Sequence, residues 1–273
     1  MRRPDALTFI VFAVVVIAGG SNFVAVRFSN RELAPFWGAG VRFALAGLLL
    51  LAIAALVHVP LPRGRALLGA IAFGLLNFGA SYALLYWALL EAPAALASAV
   101  VSLVPILTLF LAVATRIERF HWRGLLGGAI AIAGTLVLFS DQLRASVGPP
   151  TLAALFAAAL CIAGATLLAR VLPRAHPVGT NAVAMVPGAL LLLALSALSR
   201  EPMLAPIRSE TWIALGYLVV SAIALFVGFV FVVRRWTASA TSYATVLFPV
   251  VTVALAAALA GELVSGQFLL GRC

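Results

Sequence analysis

The feature that most constrains this chain is its succession of long apolar runs. Nine reach about 18 residues or more and a tenth is started, and a helix of about 20 residues crosses ~30 Å of hydrocarbon. They lie at 7–26, 35–57, 66–89, 94–114, 122–140, 151–170, 180–198, 211–233 and 240–260, with the tenth beginning near Gly266. A soluble core cannot absorb this pattern, since 64% of the 273 residues are hydrophobic and only 10% charged. The runs are continuous rather than alternating and too long for barrel strands. The expected fold class is therefore all-α integral membrane.

The first run follows Met1-Arg2-Arg3, a signal-like start, but it has no small-x-small cleavage site before Arg27 and reads as a retained helix. The net charge of +10 is carried entirely by arginine, placed mainly at the ends of runs, which argues against a nucleic-acid partner. Arg2, Arg3, Arg63, Arg65, Arg116, Arg119, Arg123, Arg170, Arg174, Arg234 and Arg235 belong to the N-terminus or alternate loops. The opposite loops hold Arg27, Arg31, Arg144, Arg200 and Arg208. Eleven against five predicts a cytoplasmic N-terminus. Cys161 lies within a run and Cys273 is terminal, so no disulfide is expected.

The chain also repeats itself. With the numbering shifted by 144, LVPILTLFLAVATRIERFHWRGLLG (Leu103 to Gly127) lies over LFPVVTVALAAALAGELVSGQFLLG (Leu247 to Gly271), with ten of 25 positions identical. Pro105/Pro249, Thr108/Thr252, Glu118/Glu262 and Gly127/Gly271 are among the matches. The same shift carries the first run onto the sixth, the third onto the eighth and the fourth onto the ninth. Two copies of five helices are predicted, residues 1–144 and 145–273. Five is odd, so the second copy runs upside down relative to the first, the inverted-repeat plan of secondary transporters.

These residues resemble the EamA-type branch of the drug/metabolite transporter superfamily. The resemblance is carried by GGSNFVAVRF (Gly19 to Phe28), PFWGAGVRFALAGLLLL (Pro35 to Leu51), the run from Phe78 to Thr108, and GGAIAIAGTLVL in the fifth run. It covers nearly the whole chain. It implies a ten-helix protein built as five plus five, with cytoplasmic termini, moving small metabolites outward. The chain departs from the family at Gly19, where a tryptophan is usual. It departs again at its end, where the tenth helix is expected to be truncated.

Polar groups at membrane depth are costly and are functional candidates by default, with hydrogen-bonded packing the competing role. The substrate-pathway candidates are Asn22, Arg42, Asn77, Ser81, Tyr82, Ser98 and Tyr243. Arg42 lies roughly 10 Å from the end of its run at 1.5 Å per residue. Three roles fit that depth: gripping a substrate carboxylate, snorkelling to headgroups, or pairing with Glu32. Asn77, Ser81 and Tyr82 share roughly one side of the third run. Ser98 and Ser102 share a side of the fourth, either lining a cavity or letting two helices approach closely.

Pro105 and Pro249 lack the N–H that would bond the carbonyls of Val101 and Thr245, so each predicts a helix interruption. Interruptions at corresponding positions of two halves are the best sequence pointer to a transport site.

Enzymatic chemistry finds little support. His58, His121 and His176 form no metal-ligand or acid–base pattern, and no phosphate-binding loop occurs. No metal or cofactor is expected. No Asp or Glu sits at a run's centre; Glu118 and Glu262 near run ends are the sole proton-relay candidates, and flanking Arg116 and Arg119 favour a solvated loop charge for Glu118. Proton exchange and facilitated movement both stay open. The expected function is a secondary transporter of the bacterial inner membrane, exporting amino acids or related small metabolites by alternating access. An integral-membrane enzyme on a lipid-linked substrate and a non-transporting scaffold are the competing classes. The partners expected are a small-molecule substrate and the bilayer.

Overall fold

The computed structural model describes residues 6–119, 122, 126–128, 133–134, 147–173 and 175–255. The described residues form helices: α1 (Ala6–Ser29), α2 (Pro35–Leu56), α3 (Arg65–Gly74), a π turn (Leu75–Ala80) and α4 (Ser81–Ala88). There follow α5 (Ala94–Val101), α6 (Val104–Ala114), α7 (Pro149–Val171), α8 (Pro177–Leu198), α9 (Ser209–Arg235), α10 (Ala238–Ser242) and α11 (Ala244–Leu255). Among the described residues, seven spans are long and apolar enough to cross a membrane, counting Arg65–Ala88 and Ala94–Ala114 as one each; Ala240–Leu255 is a shorter apolar helix. Most of the fifth run and the whole of the tenth, with its expected truncation, lie outside the described residues.

Local chemistry sets the ends. Proline opens α2, α7 and α8 and stands within the first two residues of α6, where its fixed φ suits a helix and its missing N–H is not needed. α2 and α8 leave their last turns alike, through a left-handed residue: His58 at φ 55° and Arg200 at φ 54°. The next N–H then reaches back to an otherwise unsatisfied carbonyl, Val59 to Ala54 at 2.8 Å and Glu201 to Ser196 at 3.0 Å. This turn aims Glu201 at the start of α2, where its carboxylate accepts the N–H groups of Phe36 (3.2 Å) and Trp37 (2.8 Å).

Helix packing is reciprocal under the shift of 144. α1 packs on α9, and its counterpart α7 packs on α4; α1 packs on α11, and α7 on α6. α3 packs on α8 while α2 packs on α9, α5 on α11 while α10 packs on α6, and α2 and α8 pack on each other. Small residues make the crossings possible. A Cβ on Gly74 would lie 1.9 Å from the Ala184 carbonyl oxygen, and one on Gly188 would lie 2.9 Å from that of Gly74. Here two backbones touch, as membrane helices do through small residues.

The core is aromatic where α2, α4 and α9 meet. Phe43 packs on Phe78 (5.1 Å) and edge-on to Tyr82 (4.6 Å), and Phe226 stands edge-on to Phe78 (4.6 Å). Leu48, Leu68, Leu190, Ile213 and Val220 lie exposed on the outside. On a membrane bundle these side chains face lipid, where exposure of apolar surface carries no penalty.

Candidate functional site

A cavity of about 70 Å³ lies inside the bundle. α1 supplies Gly19, Asn22, Phe23 and Val26 to it, and the π turn and α4 supply Asn77, Tyr82, Leu85 and Tyr86. Leu225, Phe226 and Phe229 come from α9, Thr245 and Phe248 from α11, Val101 from α5 and Ile162 from α7. Positions 144 apart line it together: Tyr82 and Phe226, Leu85 and Phe229, Val101 and Thr245. Small-molecule sites begin at roughly 300 Å³, so the walls must part before a metabolite enters.

The π turn places Asn77. On an α-helix, residues five apart lie about 140° apart around the axis, and Asn77 and Tyr82 would face different ways. The wider i→i+5 turn brings both to the cavity. Ser81, grouped with them by the sequence, is fully buried off the cavity, its hydroxyl given to the Asn77 carbonyl.

Asn22 accepts the Ser221 hydroxyl at its amide oxygen (2.7 Å), and its Nδ2 makes no hydrogen bond; the Asn77 Nδ2 makes none either. A buried amide without a partner is costly, so these groups are suited to meet a solute.

Arg42 is fully buried immediately behind this wall. Its Nε donates to the Leu218 carbonyl (3.1 Å) and its Nη1 to the Tyr86 hydroxyl (3.4 Å), and its guanidinium lies over the rings of Phe43 (4.9 Å) and Tyr82 (5.3 Å). Two of the roles read from its depth fail. A side chain with no exposed surface does not snorkel, and Glu32 instead receives the backbone N–H of Arg208 (3.1 Å) with the Arg208 guanidinium at 3.9 Å.

The other candidates stand elsewhere. Ser98 is fully buried and donates to the Ala95 carbonyl (2.8 Å), the packing alternative for that helix face. Tyr243 is half-buried with its hydroxyl against Gly127, and neither residue is among those lining the cavity. Glu118 is not a free loop charge: its carboxylate accepts the N–H of Ala238 at 2.8 Å and caps α10.

Both proline regions are interrupted, at shifted places. The first break falls at Ser102 and Leu103, with Pro105 already the second residue of α6. The second falls at Tyr243, and Pro249 sits inside α11. The residues whose carbonyls the two prolines leave without a helical donor, Val101 and Thr245, both line the cavity.

The polar residues missed from sequence are Ser221, which holds Asn22, and Asn181, which ties α8 to the Phe226 carbonyl (3.0 Å). Phe226 itself was also missed. The shift of 144 points to two of them, since Ser221 matches Asn77 and Phe226 matches Tyr82.

At the end of the bundle carrying the α1–α2 and α8–α9 connections, the Glu32 carboxyl is held below the usual carboxylate range. The Thr211 hydroxyl contributes most, then the Arg208 N–H and charge and the Ile207 N–H, against the opposing effect of desolvation. Arg31 lies 3.9 Å from Glu210 nearby.

Comparison with known proteins identifies the family. The EamA-like transporter family model matches twice, over residues 6–140 and 150–273. The Escherichia coli K12 protein described as "Uncharacterized inner membrane transporter YedA" is 30% identical over 262 residues, covering 93% of this chain and 83% of its own. A "Probable amino-acid metabolite efflux pump" of the same strain is 35% identical over 145 residues, covering 53% of this chain and 46% of its own. One solved crystal structure superposes with a TM-score of 0.77 at 20% identity, covering 97% of this chain and 93% of that one, a likeness of fold. The chain is a multi-pass membrane protein and belongs to the EamA-like transporter family.

Proposed function

We propose that the protein is a secondary transporter of the inner membrane that exports amino acids or related small metabolites. It works by rocking two inverted five-helix copies, residues 1–144 and 145–273, about the central cavity, with the N-terminus cytoplasmic. The observation that carries this reading is the cavity wall itself, in which positions 144 apart stand together on a surface contributed by both halves. Reciprocal packing of corresponding helices supports two copies related by a pseudo-twofold axis. Such a pair has two equivalent ways to lean, and these supply the two access states.

The chemistry of the wall suits a small solute with one polar end. Asn22, Asn77 and Tyr82 offer hydrogen bonds, and Phe23, Phe226, Phe229 and Phe248 offer apolar contact; Pro105 and Pro249 have no N–H to occupy the carbonyls of Val101 and Thr245, which leaves these for an ammonium. Ser81 and Ser98 support packing of the wall, and Tyr243 braces α11 beside it. Pro105 and Pro249 weaken the helices next to the breaks where bending is needed.

The test is efflux from proteoliposomes loaded with a panel of amino acids and related metabolites, with and without a pH gradient. Saturable flux of at least one member is expected, and its dependence on the gradient distinguishes proton exchange from facilitated movement. Flux no greater than from protein-free vesicles across the panel contradicts the proposal.

A further inference from the structure

We infer that the cavity recognises its solute through a carboxylate, and that Arg42 is the positioning residue that makes the carboxylate obligatory while leaving an ammonium dispensable. The inference rests on the reading of the cavity as the transport route.

Guanidinium is a permanent cation, and that of Arg42 is wholly buried with Nη2 making no hydrogen bond. Among the described residues no salt bridge reaches Arg42; Glu210 lies against Arg31 and Glu32 against Arg208. Burying a cation without a counter-charge is expensive. A fold that keeps one gains when an anion arrives from outside.

The cavity's side chains point the same way. The Tyr86 hydroxyl accepts from Arg42, so its own proton is left to give. The Asn22 and Asn77 amides each have an unused N–H donor. Thr245 gives its proton to the Ser242 carbonyl, and no acidic side chain stands among the described lining residues. A wall of donors backed by a buried positive charge complements a carboxylate, which accepts only.

Coupling of Arg42 to the wall runs by two routes. One passes through Tyr86. The other runs by way of the Leu218 carbonyl, which accepts from Arg42 Nε (3.1 Å) and lies 3.3 Å from the Ser221 hydroxyl oxygen, whose single proton goes to the Asn22 amide oxygen (2.7 Å). An ammonium finds no acidic side chain among the described lining residues and is repelled by Arg42, so it adds little to recognition.

The full chain in proteoliposomes is assayed with four matched solutes at neutral pH: leucine, N-acetyl-leucine, leucinamide and N-acetyl-leucinamide. Leucine and N-acetyl-leucine are expected to show kcat/KM at least about tenfold above both amides, which corresponds to about 1.4 kcal/mol. Arg42→Gln is expected to raise KM for the two carboxylates about tenfold with N-acetyl-leucinamide unaffected, and Arg42→Lys to recover part of the preference. Tyr86→Phe shifts selectivity in the same direction and serves where an Arg42 variant fails to reach the membrane. Equal transport of acids and amides by the wild type, or an equal fall for all four solutes in Arg42→Gln, overturns the inference and leaves the transport reading standing. Absence of flux for all four overturns the inference, and absence across the whole panel removes the transport reading as well.

Discussion

A methyl group on Gly19 would stand 2.2 Å from the ζ carbon of the Phe248 ring. The ring of α11 fills the space that a side chain on α1 would occupy, and both residues line the cavity. This gives a physical reason for glycine where the family resemblance leads one to expect tryptophan: the aromatic group is supplied from the opposite half. Gly19→Ala is expected to push the ring into the cavity, at an overpacking cost of about 1 kcal/mol, and to slow transport about fivefold. Gly19→Ala combined with Phe248→Leu should recover most of the rate. Flux normalised to membrane protein measures both.

At Gly74 the obstacle is backbone, which cannot rotate aside. A Cβ there meets the Ala184 oxygen at 1.9 Å, whereas one on Gly216 meets nothing within 4 Å. Gly74→Ala should therefore destabilise the bundle by about 2–3 kcal/mol. Gly216→Ala should stabilise α9 by up to about 1 kcal/mol, because alanine loses less backbone freedom on folding. Thermal unfolding in detergent reads the two changes in opposite directions.

Glu32 predicts a dependence on acid. Its folded-state carboxyl titrates below the ordinary value of 4.5, so it contributes stability above that value and loses it as pH falls through the lowered one. The stability difference between wild type and Glu32→Gln should stay level from pH 7 to about 5 and shrink below about 4.5. A thermal-shift series over this range measures it, and a difference that grows on acidification would contradict the assigned contacts.

Much of the bundle was legible in the sequence because apolar length alone marks a membrane span. The run placed at 35–57 is α2 at Pro35–Leu56, and the run at 151–170 is α7 at Pro149–Val171. What apolar length cannot register is the path of the backbone within a span. The π turn at Leu75–Ala80 leaves no mark in hydropathy, yet it decides that Asn77 joins Tyr82 at the cavity while Ser81 does not. The break before Pro105 comes at Ser102 and Leu103 because a proline near a helix N-terminus is well accommodated, so the chain bends ahead of it. Arg42 was ambiguous because depth along one helix is silent about neighbours. The Tyr82, Tyr86 and Leu218 groups that hold it come from two other helices.

The central claim is that a solute passes through the cavity lined by Asn77 and Tyr82. The most direct measurement is counterflow, in proteoliposomes, of a solute carried by the wild type, compared across Asn77→Ala, Tyr82→Phe and Ser98→Ala at equal protein content. Loss of one or two solute hydrogen bonds at about 1–1.5 kcal/mol each predicts a fall of about tenfold for Asn77→Ala and several-fold for Tyr82→Phe. Ser98→Ala, whose hydroxyl serves only its own helix, should match the wild type. Unchanged counterflow in both Asn77→Ala and Tyr82→Phe would place the route elsewhere and contradict the account.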